Sequence, residues 1–111
     1  MSARLDRLLV LEESQRLADA AGGYAETWVP LGEVWAEVTA RTGRGAEFGA
    51  VPTGRVNWRI VVRGAPVGVP SRPEAGQRFR EGSRVFRIEA VAEKDPQGRF
   101  LTCFATEEVA T

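Results

Sequence analysis

The feature that most constrains this chain is a period of two. In Glu33-Val34-Trp35-Ala36-Glu37-Val38-Thr39-Ala40-Arg41, the residues Val34, Ala36, Val38 and Ala40 share one face, and Trp35, Glu37, Thr39 and Arg41 share the other. Side chains alternate this way in a half-buried strand. The segment Arg55–Arg63 repeats the pattern, with Val56, Trp58, Ile60 and Val62 inward and Asn57, Arg59 and Arg63 outward, until Gly64 and Pro66 end it. Ser83–Val91 alternates Phe86, Ile88 and Ala90 against Arg87 and Glu89. Asp95-Pro96-Gln97-Gly98 then supplies turn chemistry, and Phe100–Thr106 returns as the partner strand.

Upstream, Leu8–Leu11 and Tyr24–Val29 flank a second turn signal, Asp19-Ala20-Ala21-Gly22-Gly23. A strand is expected at 7–13, with a helical turn near 14–20 kept as an alternative, because Leu17, Ala18, Ala20 and Ala21 favour helix. The expectation is five main strands and a short sixth at Gln77–Arg80, closed as a small all-β antiparallel barrel, since an open sheet of this size leaves its edges bare. Phe86, Ile88, Val56, Ile60 and Val38 are the expected core. At 111 residues the chain is read as a single domain. Two stretches break the pattern. Thr42–Gly54, a loop with four glycines and a proline between strong strands, has a length and position that suit function, and its composition suits mobility. Ala65–Gly76, with three prolines, reads as an extended connector.

Composition narrows the chemistry. The sequence has no histidine, one cysteine, one lysine and three aspartates, so neither a Ser-His-Asp or Cys-His site nor a histidine-based metal site can be built. No cofactor is expected, and no spacing of glutamates favours a paired-carboxylate enzyme. The single Cys103 fits a reducing compartment and an inert core thiol. No signal-peptide pattern opens the chain, and no apolar run approaches the roughly 20 residues that span a bilayer. Net charge is zero, yet the 14 arginines are unevenly placed: Arg41, Arg44, Arg55, Arg59 and Arg63 face only one acid, Glu47, between residues 41 and 63. A basic glycine-rich loop there suits non-specific contact with a phosphate backbone. Gly43-Arg44-Gly45 lacks the spacing and the strand-to-helix context of a nucleotide loop. Trp35, on the outward face of its strand, is a subunit-interface candidate, as are Arg59 and Arg63.

Taken in order, Asp19-Ala-Ala-Gly-Gly23 before a strand with Trp28, then Val34-Trp35-Ala36-Glu37-Val38, Gly43-Arg44, a long loop, Val56–Arg63 and Gly82-Ser83-Arg84-Val85-Phe86-Arg87-Ile88 form a set that resembles one family. It is similar to the head–tail joining proteins of long-tailed bacteriophages, also called head-closure or stopper proteins, a part that phage-derived gene-transfer particles carry too. The resemblance runs from about residue 4 to 108. It implies a small β-barrel assembled as a homo-oligomeric ring, of six or twelve copies in such families. One side of the ring would meet the portal and adaptor, and the other a tail terminator or tail tube protein. It further implies that Thr42–Gly54 projects into the channel, with Arg41, Arg44, Phe48, Val51 and Arg55 as candidates facing packaged double-stranded DNA. The sequence departs from the commoner pattern in its glycine-rich loop and in Trp58, where the family often has histidine. The alternative is a solitary OB- or SH3-like barrel module that binds nucleic acid or a peptide.

Overall fold

A computed structural model describes residues 3–41 and 54–108. It contains six antiparallel strands: β1 (Arg7–Ala18), β2 (Tyr24–Ala40), β3 (Arg55–Arg63), β4 (Arg78–Glu81), β5 (Arg84–Glu93) and β6 (Phe100–Glu108). Each strand pairs with two neighbours, so the sheet closes on itself in the order β1-β2-β3-β6-β5-β4. Closure follows from the short connections. β4 turns into β5 at Gly82, β5 into β6 at Asp95–Gly98, and β4 returns to pair with β1 at Val10–Glu12.

The alternation seen in the sequence becomes the interior. Leu9, Leu11, Ala36, Ile60, Val62, Phe79, Phe86, Ile88, Leu101, Cys103 and Ala105 form one buried cluster, and Leu31, Val34, Val38, Trp58 and Val91 pack against it. Ile60, Ile88 and Phe86 lie in this core as expected. Val56 does not: it is half-buried at the end of the closed sheet, opposite Glu107. Val61, of outward parity, is nevertheless buried with its cross-strand partner Thr102.

Four further expectations need correction. Residues 14–18 are not a helical turn but the continuation of β1, because each pairs with β2 out to Ala18↔Tyr24. A cross-strand ladder satisfies those backbone groups and overrides the helix propensity of leucine and alanine. Tyr24–Val29 and Glu33–Arg41 are not separate strands; β2 runs through both and absorbs the break at Pro30–Gly32 as a bulge opposite Leu11/Glu12. Ala90 faces out. A bulge between Ile88 and Ala90 inserts Glu89 as an extra residue, which reverses the parity and turns Val91 onto the core instead. The segment 65–76 is not extended; it folds through turns closed by Val69 N–H to Pro66 C=O, Arg72 N–H to Val69 C=O and, at its end, Gln77 N–H to Glu74 C=O. Arg72 donates to the Ala65 carbonyl at 2.8 Å, and Pro73 is fully buried.

At the β1–β2 turn, Asp19 Oδ1 accepts from the amides of Ala21 and Gly23, both at 2.9 Å, and Gly22 takes a φ of 86°. The aspartate and the glycine pair thus specify the hairpin.

Candidate functional site

The ends of the closed sheet differ in chemistry. The end at which β2 stops and β3 starts is covered by inward-pointing residues near the ends of several strands: Arg7 of β1, Glu81 of β4, Arg84 of β5, Glu107 of β6 and Trp58 of β3. They form one chain of contacts. Arg7 Nε donates to Glu81 Oε2 at 3.1 Å, and Arg84 lies 3.8 Å from Glu81. Arg84 donates twice to Glu107, Nε to Oε2 at 2.8 Å and Nη2 to Oε1 at 3.0 Å, while the Trp58 indole N–H donates to Oε1 at 3.0 Å. The Arg84 guanidinium also lies over the rings of Trp58 (5.5 Å) and Phe86 (4.9 Å). Glu107 is only 6% exposed, so a charge there is tolerable because three donors meet it. Hydrogen bonds from Arg84 hold the Glu107 carboxyl below the usual carboxylate range, against the opposing effect of burial. The Arg7 hydrogen bond does the same for Glu81, and Glu107 in turn raises the pKa of Arg84.

This polar lid lies at the end where the chain leaves β2 at Ala40 and re-enters β3 at Arg55, so Thr42–Gly54 is rooted beside it. Of the residues proposed from sequence for that region, Arg44, Phe48 and Val51 lie outside the described residues. Arg41 and Arg55 are both exposed at the roots. The Arg41 amide bonds the Asn57 carbonyl, and its guanidinium sits 5.2 Å from the Phe104 ring. Among the described residues, Arg55 makes only a long, exposed contact with Glu108 at 3.8 Å. Arg59 and Arg63 are exposed on the outer face of β3, and Trp35 is 55% exposed on that of β2, as the alternation implied. Trp35 and Arg63 border one shallow groove, together with Glu33, Val62 and Ala65. The structure therefore brings Arg41 and Arg55 together at one end and sets Trp35 with Arg63 apart from them.

A second cluster was not anticipated from sequence. Glu12, 4% exposed, accepts from Arg78 Nε at 2.7 Å and from Arg80 Nε at 2.8 Å, and the Arg78 guanidinium stacks 4.2 Å from the Trp28 ring. Burial alone would raise the Glu12 pKa; the hydrogen bonds from Arg80 and Arg78 outweigh it and the net shift is downward. This cluster clamps the base of a two-stranded arm, Glu13–Ala18 with Tyr24–Val29, that runs on past the neighbouring strands.

Burial pushes the Cys103 thiol up to about 12, which leaves it unreactive in the folded chain. Among the described residues, no group of three or more His, Cys, Asp or Glu side chains is placed to hold a metal ion.

The comparisons with known proteins bear on the whole chain. The family model for phage head completion proteins matches residues 1–108. Among solved structures, the chain is similar to a protein in the virion of a native gene transfer agent particle, at 54% identity and a TM-score of 0.81, covering 99% of this chain and 100% of that one. It is also similar to the solution structure of protein SF1141 from Shigella flexneri 2a, at 22% identity and a TM-score of 0.67, covering 98% and 97% of the two chains. At that identity the second likeness is one of fold. No curated protein matches the chain.

Proposed function

The chain belongs to the phage head completion protein family, a structural and non-enzymatic family, and on that premise we propose that it is a connector of a phage or gene-transfer particle. In this reading the closed sheet is the small barrel of a head-closure part, repeated as a homo-oligomeric ring of six or twelve copies. The ring meets the portal and adaptor assembly on one side and a tail terminator or tail tube protein on the other. The segment Thr42–Gly54 faces the channel and helps to retain packaged DNA. Arg41, Arg44 and Arg55 contact its phosphates without sequence preference, Phe48 and Val51 approach their counterparts near the axis, and Trp35, Arg59 and Arg63 meet neighbouring subunits.

The observation that carries this reading is the family match over residues 1–108. The 54% identical protein from a gene transfer agent virion supports a particle of that kind. Two features of the chain agree with it. The roots of Thr42–Gly54 and the β1–β2 turn lie at opposite ends of β2, which at about 3.3 Å per residue separates them by roughly 50 Å, so two partners can be met without competition. The exposed Arg41, Arg59 and Arg63 make no ion pair among the described residues, and a ring multiplies each such charge by its copy number.

The test removes the gene from a producing strain and compares particles by DNA content and electron microscopy. Heads that package DNA, lose it and carry no tails support the reading; complementation with Gly45–Pro52 replaced by a tight turn should restore tails but not full DNA retention. Normal tailed, DNA-filled particles without the protein would overturn it.

A further inference from the structure

Past Glu12 on β1 and before Ala36 on β2, the two strands pair only with each other. β4 meets β1 at Val10, Leu11 and Glu12, and β3 meets β2 from Ala36 to Ala40. The arm between therefore offers two rows of backbone N–H and C=O groups that no described strand meets. One is the outer edge of Glu13–Ala18. The other is the outer edge of β2, where Pro30 has no amide hydrogen and leaves Tyr24–Val29 as the uninterrupted stretch. The two stretches are equal in length and are each other's partners within the arm, from Glu13↔Val29 to Ala18↔Tyr24. A two-stranded ribbon is marginal by itself, and exposed edges invite further pairing unless lysine, proline or a covering segment blunts them. No lysine lies in this arm, and Leu17 (55% exposed) and Tyr24 (70% exposed) crowd its tip.

We propose that the arm is where a second copy of this chain docks: the Glu13–Ala18 edge of one copy pairs antiparallel with the Tyr24–Val29 edge of the next, head to tail. The inference rests on the homo-oligomeric assembly proposed above and adds which backbone forms the seam. β1 and β2 are antiparallel within the arm, so a copy set alongside continues the alternation. Each copy brings both halves of the contact, which is the condition for a heterologous interface that closes into a ring.

Charge points to the same seam. In its own arm Arg16 lies across from Glu26, but the Glu26 carboxylate accepts from the Ser14 hydroxyl at 2.6 Å, and no ion pair joins it to Arg16. When two arms lie level, Arg16 of one copy falls beside Glu26 of the next, an opposite-charge cross-strand pair, while Leu17 falls beside Ala25 and Tyr24 beside Ala18. One register thus matches charge with charge and apolar tip with apolar tip.

Cysteine trapping tests the seam. Full-length Gln15→Cys and Thr27→Cys proteins are oxidised separately and as a mixture, free at high concentration and within assembled particles. The buried Cys103 does not compete. Head-to-tail pairing predicts covalent dimers in the mixture alone, since each variant carries a new thiol on only one edge. Dimers from either variant by itself would mean a symmetric contact and would overturn the proposal, as would assembled particles without cross-links. A second measurement mixes Arg16→Glu with Glu26→Arg. Each alone places like charges across every seam and should weaken assembly by up to about tenfold per contact. The equimolar mixture makes alternating seams complementary again, although each copy's own hairpin keeps its like-charged pair; recovery of assembly therefore reports the contact between copies. Failure of the mixture to recover overturns the proposed register. If mixed cross-links form while gene removal leaves tailed, DNA-filled particles, the seam stands and the connector reading falls. Absent cross-links with defective heads give the converse.

Discussion

Replacing Glu107 by Gln removes a charge from the polar lid while keeping its shape. The carboxylate accepts three hydrogen bonds, two from Arg84 and one from the Trp58 indole. A carboxamide has one accepting oxygen, so in either orientation its NH2 group faces an N–H donor of Arg84 or Trp58. Hydrogen bonds to charged groups contribute about 1.5–3 kcal/mol each. The Arg84 side chain is 39% exposed, however, and water replaces much of what it loses. The net cost should be about 2 kcal/mol, which at ordinary denaturant sensitivity moves a urea midpoint by about 1 M. The pH dependence carries a second signature. The folded-state pKa of Glu107 lies below its unfolded value, so its contribution is fully present above about pH 4.3 and is lost as pH falls through the depressed folded pKa. Glu81 and Glu12 act in the same direction. Urea unfolding followed by tryptophan fluorescence at pH 7 and at pH 3 should therefore show a gap between parent and Glu107→Gln that narrows in acid. An unchanged midpoint at pH 7, or a gap that stays constant down to pH 3, would refute the role given to this carboxylate.

Ile60→Ala or Ile88→Ala, both in the buried cluster, should each cost roughly 2–5 kcal/mol in the same assay, and an unchanged midpoint for both would mean that the strand faces are reversed. Gly64→Ala should destabilise the fold, because an added Cβ would stand 2.0 Å from the Gly98 carbonyl oxygen at a point where the Gly64 amide also bonds Arg99; a parent-like melting curve would refute that close approach. Arg44→Glu with Arg55→Glu should leave folding within about 0.5 kcal/mol yet lower DNA retention in particles, and either unfolding or normal retention counts against a channel role for these arginines.

Much of the fold was legible because alternation is a local signal that burial preserves. β3, β5 and β6 begin or end within two residues of their expected bounds, and the short β4 was marked by Phe79 between arginines. What failed was set by pairing. The bulge at Glu89 reversed the facing of Ala90 and Val91, and only β6 fixes its place. The bulge at Leu31 kept β2 continuous across a proline that reads locally as a stop. The pairing of β1 with β2 likewise overrode the helical look of residues 14–20. Trp35, Arg59 and Arg63 were identifiable as outward because no bulge intervenes along Val34–Ala40 or Val56–Val62. Glu12 and Glu107 were not identifiable as buried. Their arginine partners Arg78, Arg80 and Arg84 lie between 23 and 68 residues away, so only closure of the sheet brings them together.

Closure also explains why a chain of zero net charge is not electrically uniform. Arg7, Arg78, Arg80 and Arg84 are spent on Glu12, Glu81 and Glu107 along β1, β4, β5 and β6. That compensation removes most of the arginines on one side of the molecule from outside recognition. The remainder is polarised along β2. Residues 13–33, which make up the arm and its turn, carry four acids against one arginine, whereas the described residues of 34–63 carry four arginines against one acid, with Arg41 and Arg55 at the opposite end and Arg63 set apart beside Trp35. Interspersed signs would have served solubility equally well. Segregating them along the long direction of the chain instead orients it in a field: an anionic polymer attracts the end that bears Arg41 and Arg55 and repels the arm. On the connector reading proposed above, this would favour presenting the Arg41 and Arg55 end to packaged DNA and the acidic arm, with its two open edges, to protein.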